Sequence, residues 1–326
     1  MIISRTPFRI SFVGGGTDLR SFYSKEYGQV LSTSIDKYMY VAVKRQSGIA
    51  EYKYRINWSK VEFRQTIDEI EHPIVREALR LLEIDFACEI TTFADIPAKS
   101  GLGSSSSFAV GLLHALFALK GEMTTKYQLA EMACQIELDI LHRTMGKQDQ
   151  YAASYGDLNI LTFNPDERVD VNPVLTLKKK KKNISDSLLL FHIKMHRDAS
   201  EVLKSQVKNE DKNFELLLQM RNLVPKLTDS ICEGDIEEFG RILNSNWQLK
   251  QNLSTKISSS LINNYYDRAI KAGAYGGKLL GAGGGGFLMF CINDKYRDDV
   301  KNALSELYCM NFGFDSDGTR ITYYDQ

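Results

Sequence analysis

The chain has 326 residues, 43% hydrophobic and 25% charged, an ordinary globular composition with room for one large or two ordinary domains. Its 41 basic and 41 acidic residues cancel, which argues against a protein built to grip nucleic acid or an anionic membrane, though a local cation cluster around a small phosphorylated ligand fits. Five widely spaced cysteines without a CxxC point to reduced thiols in a cytoplasmic setting rather than to disulfides or zinc, and no apolar run reaches the roughly 18 residues of a membrane span.

Residues 1–13 alternate as a strand, with Ile3, Phe8, Ile10 and Phe12 among polar neighbours and no signal-peptide core. Gly14, Gly15 and Gly16 break it, and a short helix is expected over 18–27. The stretch 30–45 is rich in Thr, Tyr, Val and Ile, as strands are. Further strands are expected at 52–58, 60–66 and 87–94, and a helix at 74–83 just after Pro73. A Gly/Ser-rich loop runs from Pro97 to Gly103. Helices follow at 104–119 and 125–142, then strands near 157–163, 169–175 and 187–194. The five lysines at 178–182 read as a solvated loop, because adjacent like charges repel, and they mark the expected division into residues 1–183 and 184–326. Residues 198–273 read as four helices, 287–292 as a strand, 295–307 as a helix capped by Asp294, and 320–324 as a last strand. Strands grouped early and helices grouped late give an α+β class rather than a regular βαβ repeat.

The most informative segment is PAKSGLGSSSSF, beginning at Pro97. A strand enters it and a helix apolar on almost every face leaves it, so the helix N-terminus points outward from the interior. Its unpaired N–H groups and its dipole make an anion site. Gly101 and Gly103 admit close backbone approach, and the serines add hydroxyls beyond what capping needs. This segment is neither a Walker A loop nor the GxGxxG dinucleotide fingerprint.

In the next helix Glu137 falls in the middle of an apolar arc that includes Leu129, Ala133, Ile136, Ile140 and Leu141. A carboxylate there is costly unless it is salt-bridged or bound to a metal, and both readings stand. Twelve residues on, Asp149 in GKQDQYAASYG sits on a turn, suited to a general base or to an N-cap. A third segment, GGKLLGAGGGGFLMF, packs five glycines into positions 281–286 between apolar flanks, so its backbone hugs a ligand or another loop. Lys278 precedes it, as a surface lysine or a phosphate neutraliser. In RTPFRISFVGGGTD, Arg9 on the strand lines the sheet face or points to solvent.

Taken together and in this order, the three glycine segments resemble those of the GHMP kinase superfamily over essentially the whole chain. Within it, GGGTD and GKQDQYAASYG are most similar to the kinases of D-glycero-D-manno-heptose 7-phosphate. The resemblance implies a two-domain α+β fold, with a left-handed βαβ crossover in the first domain and a ferredoxin-like second domain. It implies transfer of the γ-phosphate of ATP to the C1 hydroxyl of that sugar phosphate, in nucleotide-activated heptose synthesis. Ser100, Gly101, Leu102, Gly103, Ser104, Ser105 and Ser106 match the phosphate-binding loop. Ser105 and Glu137 match the Mg²⁺ ligands, Asp149 the catalytic base, and Arg9 the arginine beside the transferred phosphoryl group. Asp18 matches a sugar-binding aspartate, and the surrounding Gly15, Gly16, Thr17 and Gln148 join it as substrate-binding candidates, as do Gly283 and Gly284. Galactokinases carry Glu-His where this chain has Gly15 and Gly16, which sets galactose apart. Arg197 and Lys278 are the expected contacts to the acceptor's own phosphate. The alternatives are a fucose or galactose kinase, or a sugar and ATP sensor on the same fold.

Overall fold

The computed structural model describes residues 1–194, 202 and 210–325. The first sheet has nine strands. Strand β1 (Ile2–Val13) pairs along most of its length with β2 (Gly28–Arg45), an eighteen-residue strand that forks on its other side. Its second half pairs with β5 (Cys88–Ala94), which continues the sheet to β3 (Tyr54–Asn57) and β4 (Val61–Arg64). Its first half pairs with β6 (Leu158–Phe163), which pairs with β7 (Val169–Pro173). The register of β1 against β2 shifts between Pro7 and Phe8, just before Arg9, where two extra residues of β2, Asp36 and Lys37, interrupt the ladder.

The second sheet has four antiparallel strands in the order β11-β8-β10-β9, with β8 Leu188–Ile193, β9 Ala274–Leu279, β10 Gly286–Ile292 and β11 Tyr308–Met310. Counted within the sheet the order is 4-1-3-2, the ferredoxin-like arrangement. The chain then returns: β12 (Phe314–Asp315) pairs with β2, and β13 (Arg320–Tyr324) pairs with residues 2–5 of β1. Residues after the second sheet thus complete the first one.

Among the described residues, four helices fill 210–271: Glu210–Arg221, Leu223–Glu233, Ile236–Leu253 and Ser260–Lys271. The third carries Phe239, Ile242 and Leu243 on its buried stripe, and these join Phe8, Ile10 and Phe12 of β1 in one core between the two sheets. Phe12 and Phe239 meet edge to face with ring centroids 5.4 Å apart. The helix Ser104–Lys120 is buried on most faces, as its apolar composition requires, and ends at Gly121 with φ +76°.

Several sequence expectations change in the fold. The helix expected over 18–27 is the single turn Arg20–Tyr23. The lysine run is a helix, Lys178–Asp186, rather than a loop. Its like charges are spread by pairing Lys181 with Asp157 (2.6 Å) and Lys182 with Asp186 (2.5 Å), while Ile184 is buried. The helix expected over 295–307 is the 3₁₀ turn Asp294–Tyr296 followed by Arg297–Ala303. Asn293 caps it, because the Asp294 carboxylate instead accepts from Arg297 at 2.8 Å. The helix expected over 125–142 is α-helical only from Lys126 to Cys134 and widens into a π-helical stretch, Gln135–Ile140. That change of register leaves Ile140 exposed, although an unbroken α-helix places it on the buried stripe.

Candidate active site

The helix Ser104–Lys120 starts from Gly103, which is left-handed (φ +79°) and gives no side-chain cap. Its first turn, Ser104 to Ser106, lines a cavity of about 470 Å³. The loop before it is clasped by the glycine run. A Cβ at Gly281 would lie 2.6 Å from the Gly101 Cα, and one at Gly286 would lie 2.4 Å from the Ser100 carbonyl oxygen. Those glycines are required because two backbones touch there. Gly283 and Gly284 pack elsewhere: a Cβ at Gly283 would meet Ile257 at 2.9 Å, and the Gly284 N–H donates to the Ile257 carbonyl. Leu102 is buried and contributes its carbonyl, which accepts from the Arg9 N–H at 3.1 Å. Beyond the residues that β13 covers, this bond docks the loop on the edge of β1. Ser100 is buried and its hydroxyl has no hydrogen-bond partner among the described residues.

Glu137 is fully buried at 0% exposure. It accepts from Ser105 Oγ (2.5 Å), Ser106 Oγ (2.7 Å), Gln150 Nε2 (2.8 Å) and Arg143 Nη1 (2.8 Å). The π-helical stretch shapes this: the Arg143 N–H reaches back six residues to the Glu137 carbonyl, which folds the chain over and brings its guanidinium to the carboxylate. Arg143 Nη1 also lies 2.5 Å from Ser105 Oγ, so one cation bridges the carboxylate and the hydroxyl. A hard oxygen pair spanned by a positive group fits Mg²⁺, which keeps few protein ligands and completes its shell with substrate phosphates and water.

Asp149 stands in the first turn of the helix Gln148–Tyr155 and meets Arg9 in two bonds, Nε to Oδ1 at 2.7 Å and Nη2 to Oδ2 at 2.8 Å. Arg9 lies in the interior with 4% exposure, and its Nη1 donates to the Gly101 carbonyl at 2.8 Å. The strand residue therefore faces the cavity rather than solvent. A Cβ at Gly103 would sit 3.4 Å from Asp149 Oδ2, so the base candidate abuts the start of the serine helix. Lys147 fixes the turn from behind through Glu167 at 2.7 Å.

Asp18 is buried and accepts from the Gly16 N–H (2.9 Å) and from Gln148 Nε2 (3.0 Å). Burial, and next the charge of Asp149, push its carboxyl above the usual range, against the pull of those bonds. A Cβ at Gly146 would fall 2.0 Å from Asp18 Oδ2, which explains that glycine. Gly15, Gly16, Asp18 and Gln148 line the cavity. Thr17 does not: its hydroxyl donates to the Gly14 carbonyl (2.7 Å) and accepts from the Gln29 N–H (2.9 Å), so it staples the turn. Lys278 lines the cavity and is 3% exposed, and its ammonium donates to the carbonyls of Ser11 (2.8 Å) and Phe12 (2.7 Å). Burial and then the nearby Lys250 hold its pKa well below the usual lysine value. Arg197 lies outside the described residues.

Three residues of the site escaped the sequence reading. Arg143 precedes the base segment outside any motif, and only the π-helical stretch turns it inward; Gln150 lies inside that segment, beside Asp149, without a role assigned to it. Lys250 lies at helical spacing on the buried stripe of its helix with Leu243, Asn246 and Leu253, a signal that could have found it, and its ammonium rests on the Leu279 carbonyl (3.3 Å) and the Gly281 carbonyl. Burial, followed by the charge of Arg9, lowers its pKa to about 7.

Residues 73–157 match the GHMP kinases N terminal domain, and residues 227–308 match the GHMP kinases C terminal domain. The chain is 27% identical to the D-glycero-alpha-D-manno-heptose 7-phosphate kinase of Campylobacter jejuni, over 98% of both chains. It is 23% identical to the galactokinase of Pyrococcus furiosus, over 96% of this chain and 95% of that one. Among solved structures, a D-glycero-D-manno-heptose 1-phosphate kinase from Bacteroides thetaiotaomicron superposes with a TM-score of 0.83 at 25% identity, covering 100% of both chains. A Lactococcus lactis galactokinase complexed with galactose shares the fold, with a TM-score of 0.74 at 17% identity over 98% of this chain and 94% of that one.

Proposed function

Since the chain belongs to the GHMP kinases and is an ATP-dependent sugar kinase, we propose that it phosphorylates the anomeric hydroxyl of a heptose that already carries a phosphate, D-glycero-D-manno-heptose 7-phosphate. The observation that carries this reading is the convergence of Asp149, Arg9 and Glu137 on the first turn of one buried helix.

In this reading the triphosphate lies along Ser100–Ser106, where the first-turn N–H groups of the helix draw its oxygens. Asp149 accepts the hydroxyl proton as the sugar oxygen bonds to the γ-phosphorus, and the bond from that phosphorus to the ADP oxygen breaks. Arg9 holds Asp149 in its acceptor orientation and places positive charge beside the phosphoryl group in flight. Asp18, fixed by Gln148 and the Gly16 N–H, receives sugar hydroxyls. Glu137 and Ser105 would hold Mg²⁺, which when bound neutralises charge on the phosphate oxygens.

The test is incubation of the purified protein with ATP and heptose 7-phosphate, with NMR of the product. A second phosphate on C1 is the expected result. Turnover of galactose or fucose in preference to any heptose phosphate would replace this reading with a kinase of another sugar.

A further inference from the structure

Two lysines in the cavity wall have no part in that mechanism. Lys250 and Lys278 come from different elements, the helix Ile236–Leu253 and strand β9, yet both reach the same cavity, where burial first and cationic neighbours second lower the pKa of each. Both are buried, at 7% and 3% exposure, and among the described residues neither is in an ion pair; their ammonium groups touch only backbone carbonyls. A buried ammonium is costly, and proteins normally pair it with a carboxylate. The nearby acids are committed otherwise: Asp149 to Arg9, and Asp18 to Gly16 and Gln148. Met220 and Leu253 line the same cavity, so an apolar side chain in place of either lysine would suit the wall at less cost. Two cations without a carboxylate partner on one cavity lack an anion.

We propose that Lys250 and Lys278 together form the subsite for the phosphate already present on the acceptor, and so select a sugar phosphate over a free sugar. This rests on the function proposed above and assigns its second anion to a place. Each ammonium keeps its two carbonyl contacts and turns its one remaining N–H to the phosphate oxygens, and the dianion restores the charge that burial had suppressed.

The experiment compares kcat/KM for heptose 7-phosphate and for unphosphorylated heptose in the wild type, Lys250→Met and Lys278→Met, with melting temperatures and the KM for ATP alongside. The expected result is a preference for the phosphorylated sugar in the wild type that falls by about 10- to 100-fold in each variant, the range for losing a charged hydrogen bond. Melting temperatures should equal or exceed the wild type, since each variant sheds a buried charge, and the KM for ATP should stay put. Equal losses on both sugars, or a lower melting temperature with a raised KM for ATP, would assign the lysines to catalysis or to bracing the glycine loop and overturn the subsite while the function stands. A wild type that ignores phosphorylated sugars overturns both, and does so before any variant is made.

Discussion

Arg9 and Asp149 stand 140 positions apart in the chain and meet in two parallel bonds of 2.7 and 2.8 Å, with the third arm of the guanidinium on the Gly101 carbonyl. One arginine thereby ties together the base candidate, the phosphate loop and the first strand. A fork of this kind is directional: it fixes the plane of the carboxylate as well as its position.

Asp149→Asn should lower kcat by about 10² to 10⁴-fold, the range for a positioned base, with nucleotide binding retained. Steady-state kinetics together with equilibrium titration of a non-hydrolysable nucleotide measures both. A folded Asn variant with wild-type kcat removes Asp149 from the role.

Arg9→Lys keeps the charge but cannot span both carboxylate oxygens and Gly101 at once. Its kcat should fall at least tenfold while the KM for ATP changes little, because the loss is of orientation at the reacting atoms. Equal changes in kcat and in ATP affinity would make Arg9 a brace for the loop alone.

Arg143→Met tests the bridge between Glu137 and Ser105. Removing a charged donor from a buried carboxylate should cost about 1.5–3 kcal/mol without divalent cations. Millimolar Mg²⁺ should recover most of that loss if Glu137 and Ser105 accept the ion in place of the guanidinium. Chemical denaturation with and without Mg²⁺ reads the difference, and a deficit that Mg²⁺ leaves unchanged counts against a metal site there.

Gly281→Ala adds a Cβ 2.6 Å from the Gly101 Cα at φ +73°. Neither backbone has a flexible side chain to yield, so the phosphate loop must move. The KM for ATP should rise at least tenfold, and left-handed strain should add about 1–2 kcal/mol of destabilisation. An unchanged KM for ATP would mean that the two loops are not coupled.

The lowered pKa of Lys250, about 7 against about 10.4 in an unfolded chain, gives stability a pH dependence. Between those values the unfolded chain binds the extra proton, so stability rises with pH across that window and is lowest at and below about pH 7. Lys250→Met removes part of this slope. The variant should exceed the wild type by about 1–3 kcal/mol at pH 7, net of two lost hydrogen bonds, and the gap should close toward pH 10. Urea denaturation at the two pH values reports it; a gap that stays constant would place the charge of Lys250 elsewhere in the balance.

Much of this protein is written in short-range pattern. The glycine segments, the serines at 104–107, the oddly placed Glu137 and the turn bearing Asp149 are neighbours along the chain, and their periodicity and chemistry are local. So are β1, β2 and most of the helices, because burial on one side imposes its period on each element. What the sequence withheld depends on residues far apart. The lysine run is balanced by Asp157, Thr17 is drawn into its turn by Gln29, and a π-helical widening turns Arg143 toward Ser105 and Ile140 outward. Lys250 falls on the buried stripe of its helix, but the carbonyls that hold its ammonium come from Leu279 and Gly281, far along the chain. Local sequence sets which conformations a segment prefers. Which charges are shut away from water, and beside which partners, is decided only when the strand register and the core between the two sheets bring distant segments into contact.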